Sequence, residues 1–230
     1  MNKCLITKLK GVVSNQKLTP LGCAALTVYP SDNTFKLECE GNNVEYFTAN
    51  GEAVFSTNKS NFVNRISANQ PVFVKTDKPT LVFISNKYEL TKVDIYDSTN
   101  NSQLDIDFND FIYCKKINAF NITYFRTLTG DISALSSLTN LQILQLIVTS
   151  VTGDISAFNN LIGLTELKMG NRGTGYFKTL CNSLKNNGKT SGTLTFWSYG
   201  GQIKIDDQTE CPDHDVIATF SEGSISYSGL

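Results

Sequence analysis

Apolar and polar residues alternate in short runs through the first 85 residues of the chain. The clearest runs read CLITKL, CAALTVY, TFKLECE, VEYFTA, PVFVKT and TLVFIS. An alternation with a period of two predicts half-buried β-strands, because successive side chains point to opposite faces of a strand. Turn residues separate the runs, and Asn50-Gly51 between YFTA and EAVFS predicts a hairpin. We therefore expect residues 1–85 to form an antiparallel β-domain, most simply a sandwich, that serves for assembly or docking.

A near-duplicate segment follows, in which LTGDISAL at 128–135 returns as VTGDISAF at 151–158. The two copies continue as SSLTNLQILQL and NNLIGLTELKM, and their apolar positions stay in register. The L-x-x-L-x-L pattern in each copy predicts a short strand whose leucines point inward. One such strand cannot bury its apolar face alone, so stacked copies forming a parallel sheet are expected.

Weaker copies of the pattern extend this array in both directions. Upstream they comprise Leu90, Val93 and Ile95, then Ile117, Phe120 and Ile122, and downstream they comprise Leu194 and Phe196. Strand starts then fall at 90, 117, 141 and 164, with a closing strand near 191, which predicts a solenoid of four to five rungs over residues 86–200. Phe177, Leu180, Cys181 and Leu184 have helical spacing, which predicts a helix over 175–187 that ends near Gly188.

Alternation returns after residue 200 in QIKIDD, DVIATFS and SISYSGL. We expect residues 201–230 to form C-terminal capping strands that cover the open end of the solenoid. The predicted fold class is mainly β with few short helices, an N-terminal antiparallel β-sandwich followed by a short repeat solenoid with C-terminal capping strands.

Charge and composition argue against nucleic-acid binding and against insertion into a membrane. The formal net charge is -1 and no run of Lys or Arg stands out, so we expect no nucleic-acid binding. The N-terminus lacks the apolar core of a signal peptide, and no segment reaches the ~20 apolar residues of a membrane span, so we expect no membrane insertion. The six cysteines show no C-x-x-C pairing, and we interpret them as reduced, mostly buried thiols.

No catalytic constellation emerges from the sequence. The single histidine, His214, lies in the turn Cys211-Pro-Asp-His-Asp215, which offers metal-binding atom types but is more simply a polar surface turn. The glycines of Gly170–Gly175 lack the ending of a phosphate-binding loop and are interpreted as a turn. The carboxylate pairs Asp105/Asp107 and Asp206/Asp207 have no second feature that would make them an acid/base pair. We therefore predict a non-enzymatic protein with no catalytic residues, no cofactor and no metal.

The outward side chains of the predicted rungs form the candidate interaction surface. They are Asp94, Tyr96, Asn121, Thr123, Gln145, Ile147, Lys168, Thr195 and Trp197. The mixture of amides, hydroxyls, charges and the only Trp suits contacts with protein or glycan. A solvated face without a ligand is the alternative. A separate alternative for Trp197 is that the C-terminal strands cover it.

Residues 87–200 resemble the leucine-rich-repeat family. LTGDIS and VTGDIS are similar to the L-x-G-x-I turn of its 23–24-residue class, although the usual Asn after the strand is absent at Val148–Ser150. The resemblance implies a binding or structural role, usually without enzyme activity.

The opening MNKCLITKLKGVV, continuing to KLTPLG, resembles virion proteins (head fibres and decoration proteins) of crAss-like Bacteroides phages and related gut Bacteroidetes proteins. It implies a phage virion component, such as a capsid-attached fibre, decoration or tail protein, assembled in the bacterial cytoplasm. Its partners would be other capsid or tail subunits, with a host-surface protein or glycan as a further partner, and a homo-oligomer is expected. The alternative is a bacterial leucine-rich-repeat adaptor or surface adhesin, cytoplasmic or at the cell surface, that binds protein or glycan.

Overall fold

The structure is a computed structural model of the 230-residue chain. It describes residues 22–29, 35–48, 54–56, 65–67, 69, 72–75, 80–97, 103–170, 172–198, 202–211 and 214–229. The predicted strand CLITKL and Cys4 lie outside these residues. Within them, strands predominate and helices are few and short, which confirms the mainly β prediction. No helix in this part of the chain is long and apolar enough to cross a membrane.

Among the described residues, seven strands precede the first rung. They are β1 (Ala24–Tyr29), β2 (Phe35–Gly41), β3 (Glu45–Thr48), β4 (Val54–Ser56), β5 (Arg65–Ser67), β6 (Val72–Lys75) and β7 (Thr80–Ile84). The rungs and their connections contain β8 (Leu90–Asp97), β9 (Gln103–Ile106), β10 (Ala119–Thr123), β11 (Ile143–Ile147), β12 (Gly153–Asp154), β13 (Glu166–Met169), β14 (Gly173–Tyr176), helix α1 (Phe177–Asn186) and β15 (Gly192–Ser198). The chain ends with β16 (Ile203–Lys204), β17 (Val216–Ser221) and β18 (Ser224–Ser228). Four 3-10 helices occupy Lys87–Glu89, Phe108–Phe111, Ile132–Ser137 and Ile155–Phe158.

A ten-stranded sheet runs through the molecule in the order β18-β17-β15-β13-β11-β10-β8-β2-β6-β4. Its central strands β8, β10, β11, β13 and β15 are all parallel, and strands at both ends are antiparallel. A five-stranded antiparallel sheet has the order β5-β3-β7-β1-β9. Strands from both sides of residue 85 share these two sheets, since β8 pairs with β2 and β9 pairs with β1. The division of the chain at residue 85 stays a prediction.

The hairpin prediction at Asn50-Gly51 is wrong. Strand β3 belongs to the five-stranded sheet, whereas β4 pairs with β6 in the ten-stranded sheet. Strands β3 and β4 therefore do not pair with each other, and Asn50-Gly51 lie outside the described residues. A dipeptide reports only local turn preference, and it cannot distinguish a turn within one sheet from a passage between two sheets.

The inward side chains of the parallel strands stack in rows. Val93, Phe120, Leu144, Leu167 and Phe196 pair in register from strand to strand, and all are fully buried. They belong to one continuous cluster of buried residues that runs from Ala24 on β1 to Phe220 on β17. Each rung thus contributes one layer of apolar side chains to a common core, as the L-x-L spacing requires.

Aspartates begin the short helices that connect the rungs. Asp107, Asp131 and Asp154 each accept a hydrogen bond, 2.8 to 2.9 Å long, from the backbone N–H two residues later. These aspartates satisfy donors that the start of a helical turn leaves unpaired. The aspartate of the repeated T-G-D-I-S motif therefore caps the short helix that connects two rungs. Asp107 caps such a helix outside the motif.

Helix α1 forms as predicted and buries Phe177, Leu180, Cys181 and Leu184. It ends at Asn186, and Gly188 follows in the cap, where the Gly188 N–H donates to the Lys185 carbonyl and the Lys189 N–H donates to the Leu184 carbonyl. Gly188 has a φ of 109°, which favours glycine at this kind of helix end. The ending directs Lys189 into the protein, where its Nζ donates to the carbonyl of Leu164 at 2.6 Å.

Candidate interaction surface

The outward side chains of the five parallel strands form one continuous surface, which we call the ladder face. Its three rows comprise Lys92, Ala119, Ile143, Glu166 and Thr195, then Asp94, Asn121, Gln145, Lys168 and Trp197, then Tyr96, Thr123 and Ile147. Apart from Ala119, which is buried, these residues are partly or fully exposed and alternate with buried ones along each strand. All nine residues of the predicted surface therefore lie on one face of the sheet.

The register of the last rung differs from the prediction. A start near residue 191 places Thr195 beside Lys168, but the structure pairs Lys168 with Trp197 and Glu166 with Thr195. Leu167 pairs with Phe196, 29 residues later, because strand β14 and helix α1 lengthen this connection. Trp197 thus lies in the central row. It is partly exposed there, so the C-terminal strands do not bury it.

A charged cluster lies where the ladder face meets β2. It contains Lys36, Glu38, Glu40, Lys92 and Asp94. Lys92 Nζ lies 2.9 Å from a carboxylate oxygen of Glu38, 3.4 Å from one of Glu40 and 3.9 Å from one of Asp94. Glu38 stands directly opposite Asp94 across the two strands, and the lysines offset the repulsion between these two carboxylates.

Burial and pairing shift the pKa values in this cluster in different directions. Burial raises the pKa of Asp94, and the nearby Lys36 and Lys92 only partly oppose that rise. Burial also raises the pKa of Glu38, but hydrogen bonds from Lys92 and Lys36 outweigh it and leave that pKa lowered. The cluster carries three carboxylates against two ammonium groups, so its net charge at neutral pH is negative.

A second charged cluster lies at the other end of the face. Lys168 Nζ is 3.8 Å from a carboxylate oxygen of Glu166 and 3.7 Å from one of Asp215. Gln145 donates a side-chain hydrogen bond to Glu166. Two carboxylates against one ammonium group leave this cluster slightly negative as well.

Strands β10 and β11, between the clusters, present no charged side chain to the ladder face. Their outward residues are Ala119, Asn121, Thr123, Ile143, Gln145 and Ile147. The Asn121 Oδ1 atom is buried and has no hydrogen-bond partner among the described residues. An uncharged central strip flanked by charges resembles the anatomy of protein interfaces, which have a less charged centre and a polar rim.

Two tyrosines mark one edge of this strip. The Tyr96 and Tyr124 rings meet edge to face with their centroids 5.5 Å apart, and both side chains are more than a third exposed. Tyr124 follows β10 directly and has a φ of 67°, and Val148 has a φ of 53° at the same point after β11. The Tyr124 N–H donates to the Ile147 carbonyl at 2.9 Å, which fixes the turn.

Sequence reasoning missed Tyr124 and four further residues of the face. Lys92, Ala119, Ile143 and Glu166 form the first row with Thr195, and a count with a period of two along each strand finds them. Tyr124 gives no such signal, because its position depends on a left-handed backbone conformation that is uncommon for a residue other than glycine.

The other candidate sites play structural parts. The His214 ring contacts the carbonyl of Gly229, and residues 212 and 213 of its turn lie outside the described residues. Asp206 accepts hydrogen bonds from Lys178 at 2.9 Å and from the Thr209 N–H at 2.8 Å. The hydrogen bond from Lys178 is the main cause of the lowered pKa of Asp206. No group of three His, Cys, Asp or Glu side chains with metal-binding spacing occurs in the described part of the chain.

The five cysteines in the described residues are all buried. Burial raises the pKa of Cys39, Cys114 and Cys181 to about 12 and that of Cys211 to about 11. Thiols with such pKa values are almost wholly protonated at neutral pH and are poor nucleophiles. They act as small apolar side chains in the core.

A shallow cavity of about 290 Å³ lies at the helical connections, away from the ladder strands. Its lining includes Asp107, Asn109, Gly130, Asp131 and Ser133. Both aspartates already accept hydrogen bonds from the backbone of their own turns. The cavity is accounted for by the packing of one connection on the next.

Comparison with known proteins gives structural similarity only. No family model matches the chain, and no curated protein matches it. The leucine-rich-repeat ectodomain of the plant membrane receptor kinase GASSHO1/SCHENGEN3 from Arabidopsis thaliana, solved in complex with CASPARIAN STRIP INTEGRITY FACTOR 2, is similar over 50% of this chain with 20% identity and a TM-score of 0.38. This chain covers 13% of that receptor chain. The leucine-rich-repeat ectodomain of the receptor kinase SOBIR1 from Arabidopsis thaliana is similar over 71% of this chain and 78% of its own, with 17% identity and a TM-score of 0.37.

Proposed function

We propose that this chain is a non-enzymatic interaction protein of the leucine-rich-repeat type that binds another protein through its ladder face. The observation that carries the proposal is the uncharged strip on β10 and β11, with exposed Tyr96 and Tyr124 at its edge and charged clusters at both ends. Tyrosine is enriched at protein interfaces and among the residues that dominate their binding energy, and an uncharged strip with a charged rim has the polarity typical of such interfaces.

The charges on the face restrict the partner. Both clusters have one more carboxylate than ammonium group, so a partner segment with apolar side chains at its centre and Lys or Arg towards its ends is complementary. A sheet face of this kind offers a broad surface in place of a deep pocket, which suits a protein better than a small molecule.

The finer parts of the prediction belong to the same proposal. Leu26 and Val82 of the five-stranded sheet share one core cluster with Leu37 and Val93 of the ten-stranded sheet, which supports an N-terminal sandwich. The virion role and its location stay predictions, because they depend on the first residues of the chain, which lie outside the described residues. Capsid and tail genes beside this one favour the virion role, and their absence favours the bacterial adaptor or adhesin.

Site-specific photocrosslinking tests the proposal. A photoreactive amino acid at Ile147 lies within the ladder face, whereas the same group at Ile162, 45% exposed in a turn between rungs, serves as a control. We expect position 147 to capture one defined protein from the natural host, and position 162 to capture none of it. With that partner purified, Tyr96→Ala combined with Tyr124→Ala raises its dissociation constant about tenfold or more.

Three outcomes contradict the proposal. Equal capture at positions 147 and 162 means that the face is not selective. Saturable binding of a purified glycan that the tyrosine double variant abolishes assigns the same surface to carbohydrate. An enzymatic activity that His214→Ala abolishes in a folded variant shows that the chain is an enzyme.

A further inference from the structure

The outer edge of β18 is a sheet edge that the described part of the chain leaves without a partner strand. Strand β18 ends the ten-stranded sheet, and its one neighbour there is β17. Alternate residues of an edge strand direct their N–H and C=O groups away from the sheet, where they are available to another strand.

The sequence of this edge lacks the features that prevent pairing. Strand β18 reads SISYS, with no charged residue, proline or glycine. By contrast, β9, an edge strand of the five-stranded sheet, carries Asp105. Natural proteins protect edges by charge, proline, bulges or shortness, and β18 shows none of these devices.

Two apolar side chains of β18 also lie half-buried at the end of the core. Ile225 and Tyr227 pack against the main core cluster on one side. The Tyr227 and Phe177 rings meet edge to face with their centroids 5.9 Å apart. Their outer sides remain accessible, so the edge offers apolar surface next to its free backbone groups.

We propose that β18 pairs with β18 of a second copy of this chain, antiparallel and around a two-fold axis at Ser226. In this register Ile225 of each copy stands opposite Tyr227 of the other, and Ser224 stands opposite Ser228. Aromatic and branched aliphatic residues are favourable neighbours across strands, and no charge meets a like charge. The strand is thus complementary to itself, as a two-fold interface requires.

The pairing joins two ten-stranded sheets into one and covers Ile225 and Tyr227 of both copies. It does not depend on the proposed ladder-face function, because β18 lies two strands beyond the last rung, β15. The predicted homo-oligomer would then be a closed dimer, and a trimeric fibre would need a different contact.

Charge at the two-fold axis tests the proposal. Ser226 is exposed, so Ser226→Lys leaves the core intact but brings two like charges together in the dimer. We expect light scattering coupled to size exclusion to show a dimer that dissociates on dilution, with a dissociation constant raised about tenfold or more by Ser226→Lys.

The matched control is Thr219→Lys, which adds the same exposed charge directly opposite Ser226 on β17, away from the edge. The control variant dimerises like the parent chain, and mixing Ser226→Lys with Ser226→Glu chains restores association.

A monomer at every concentration overturns the proposal, as does a Ser226→Lys variant that associates like the parent. Hydrogen exchange on the parent chain gives an independent measurement that needs no variant. The amides of β18 exchange more slowly as concentration rises, while those of β9, an edge strand of the other sheet, do not change. Slow exchange of β18 that is independent of concentration overturns the proposal, because the edge would then be covered within one chain.

Discussion

Single residues set the spacing between neighbouring rungs. Gly130, Gly153 and Gly175 occupy equivalent points of successive connections, and their φ angles are 140°, 117° and 112°. A Cβ atom on Gly153 would lie 2.7 Å from Asp131 Oδ1 and 2.8 Å from Ile132 Cγ1. The glycine of the T-G-D-I-S motif is therefore required both by its backbone conformation and by the aspartate of the preceding rung.

Gly153→Ala should lower the free energy of unfolding by about 2 kcal/mol, because a left-handed backbone and an overpacked contact each cost energy. The control is Gly163→Ala, where the nearest atom to a Cβ is the Leu141 carbonyl oxygen at 3.5 Å. We expect the control to change stability by less than about 0.5 kcal/mol. Urea unfolding monitored by circular dichroism measures both variants, and equal effects would contradict this interpretation of the motif.

Buried thiols make the stability of the protein depend on alkaline pH. In the folded protein burial raises the pKa of Cys114 to about 12 from 9.0, so the folded state holds its proton where the unfolded state loses it. The stabilisation is complete below pH 9 and is lost as pH rises towards 12.

We expect the free energy of unfolding to fall between pH 7 and pH 10 by roughly 1 kcal/mol for each such thiol. Cys114→Ala should make this fall in the free energy of unfolding smaller by roughly 1 kcal/mol, the contribution of one thiol. The variant also lowers stability at pH 7 through the small cavity that it creates. Urea midpoints at the two pH values measure the effect. An unchanged pH dependence in the variant would show that Cys114 does not titrate as its burial implies.

Among the elements, the short connections depend on their capping aspartates. Asp154 Oδ1 accepts from the Ser156 N–H at 2.8 Å and begins the helical turn Ile155–Phe158, which buries Ile155 and Phe158. Loss of this cap leaves a backbone donor without its partner and weakens the attachment of both apolar side chains to the core.

Asp154→Ala should lower the free energy of unfolding by about 1 kcal/mol, as expected for the loss of a helix cap. Asp154→Asn is the matched control, since asparagine accepts the same hydrogen bond and should retain most of the stability. Thermal unfolding followed by calorimetry separates the two variants. If both lose the same stability, the charge of Asp154 matters more than its capping hydrogen bond.

For the whole molecule, the main consequence of the fold is a core without a break. The same buried cluster contains Leu26 of β1, Val93 of the first rung and Phe196 of the last rung. The array is short, and its ends are joined to antiparallel strands of the same sheet. We therefore expect one cooperative unfolding transition and not a gradual loss of rungs.

The single tryptophan makes this testable. Trp197 reports on the last rung, four strands and about 19 Å from the first rung. Val93→Ala in the first rung should shift the Trp197 fluorescence transition and the circular dichroism transition by the same amount, about 1–3 kcal/mol. A fluorescence transition that stays in place while circular dichroism shifts would show that the rungs unfold separately.

Local pattern was enough to predict which side chains of the parallel strands point inward. Val93, Phe120, Leu144 and Leu167 follow a spacing that forces them inward, and the residues between them must then point outward. A period of two leaves no other choice once one side of a strand is buried. The nine predicted surface residues therefore lie on the ladder face, although their use in binding stays a prediction.

Tertiary structure decided what no local pattern contains. Pairing between distant strands placed β3 and β4 in different sheets, joined β9 to β1, and set the register that puts Trp197 beside Lys168. Sequence alternation shows which side of a strand is apolar. It does not show which strand pairs with it or in which register the two strands pair. Those choices depend on how all the layers of the core pack together, and the length of each connection then determines which residues meet.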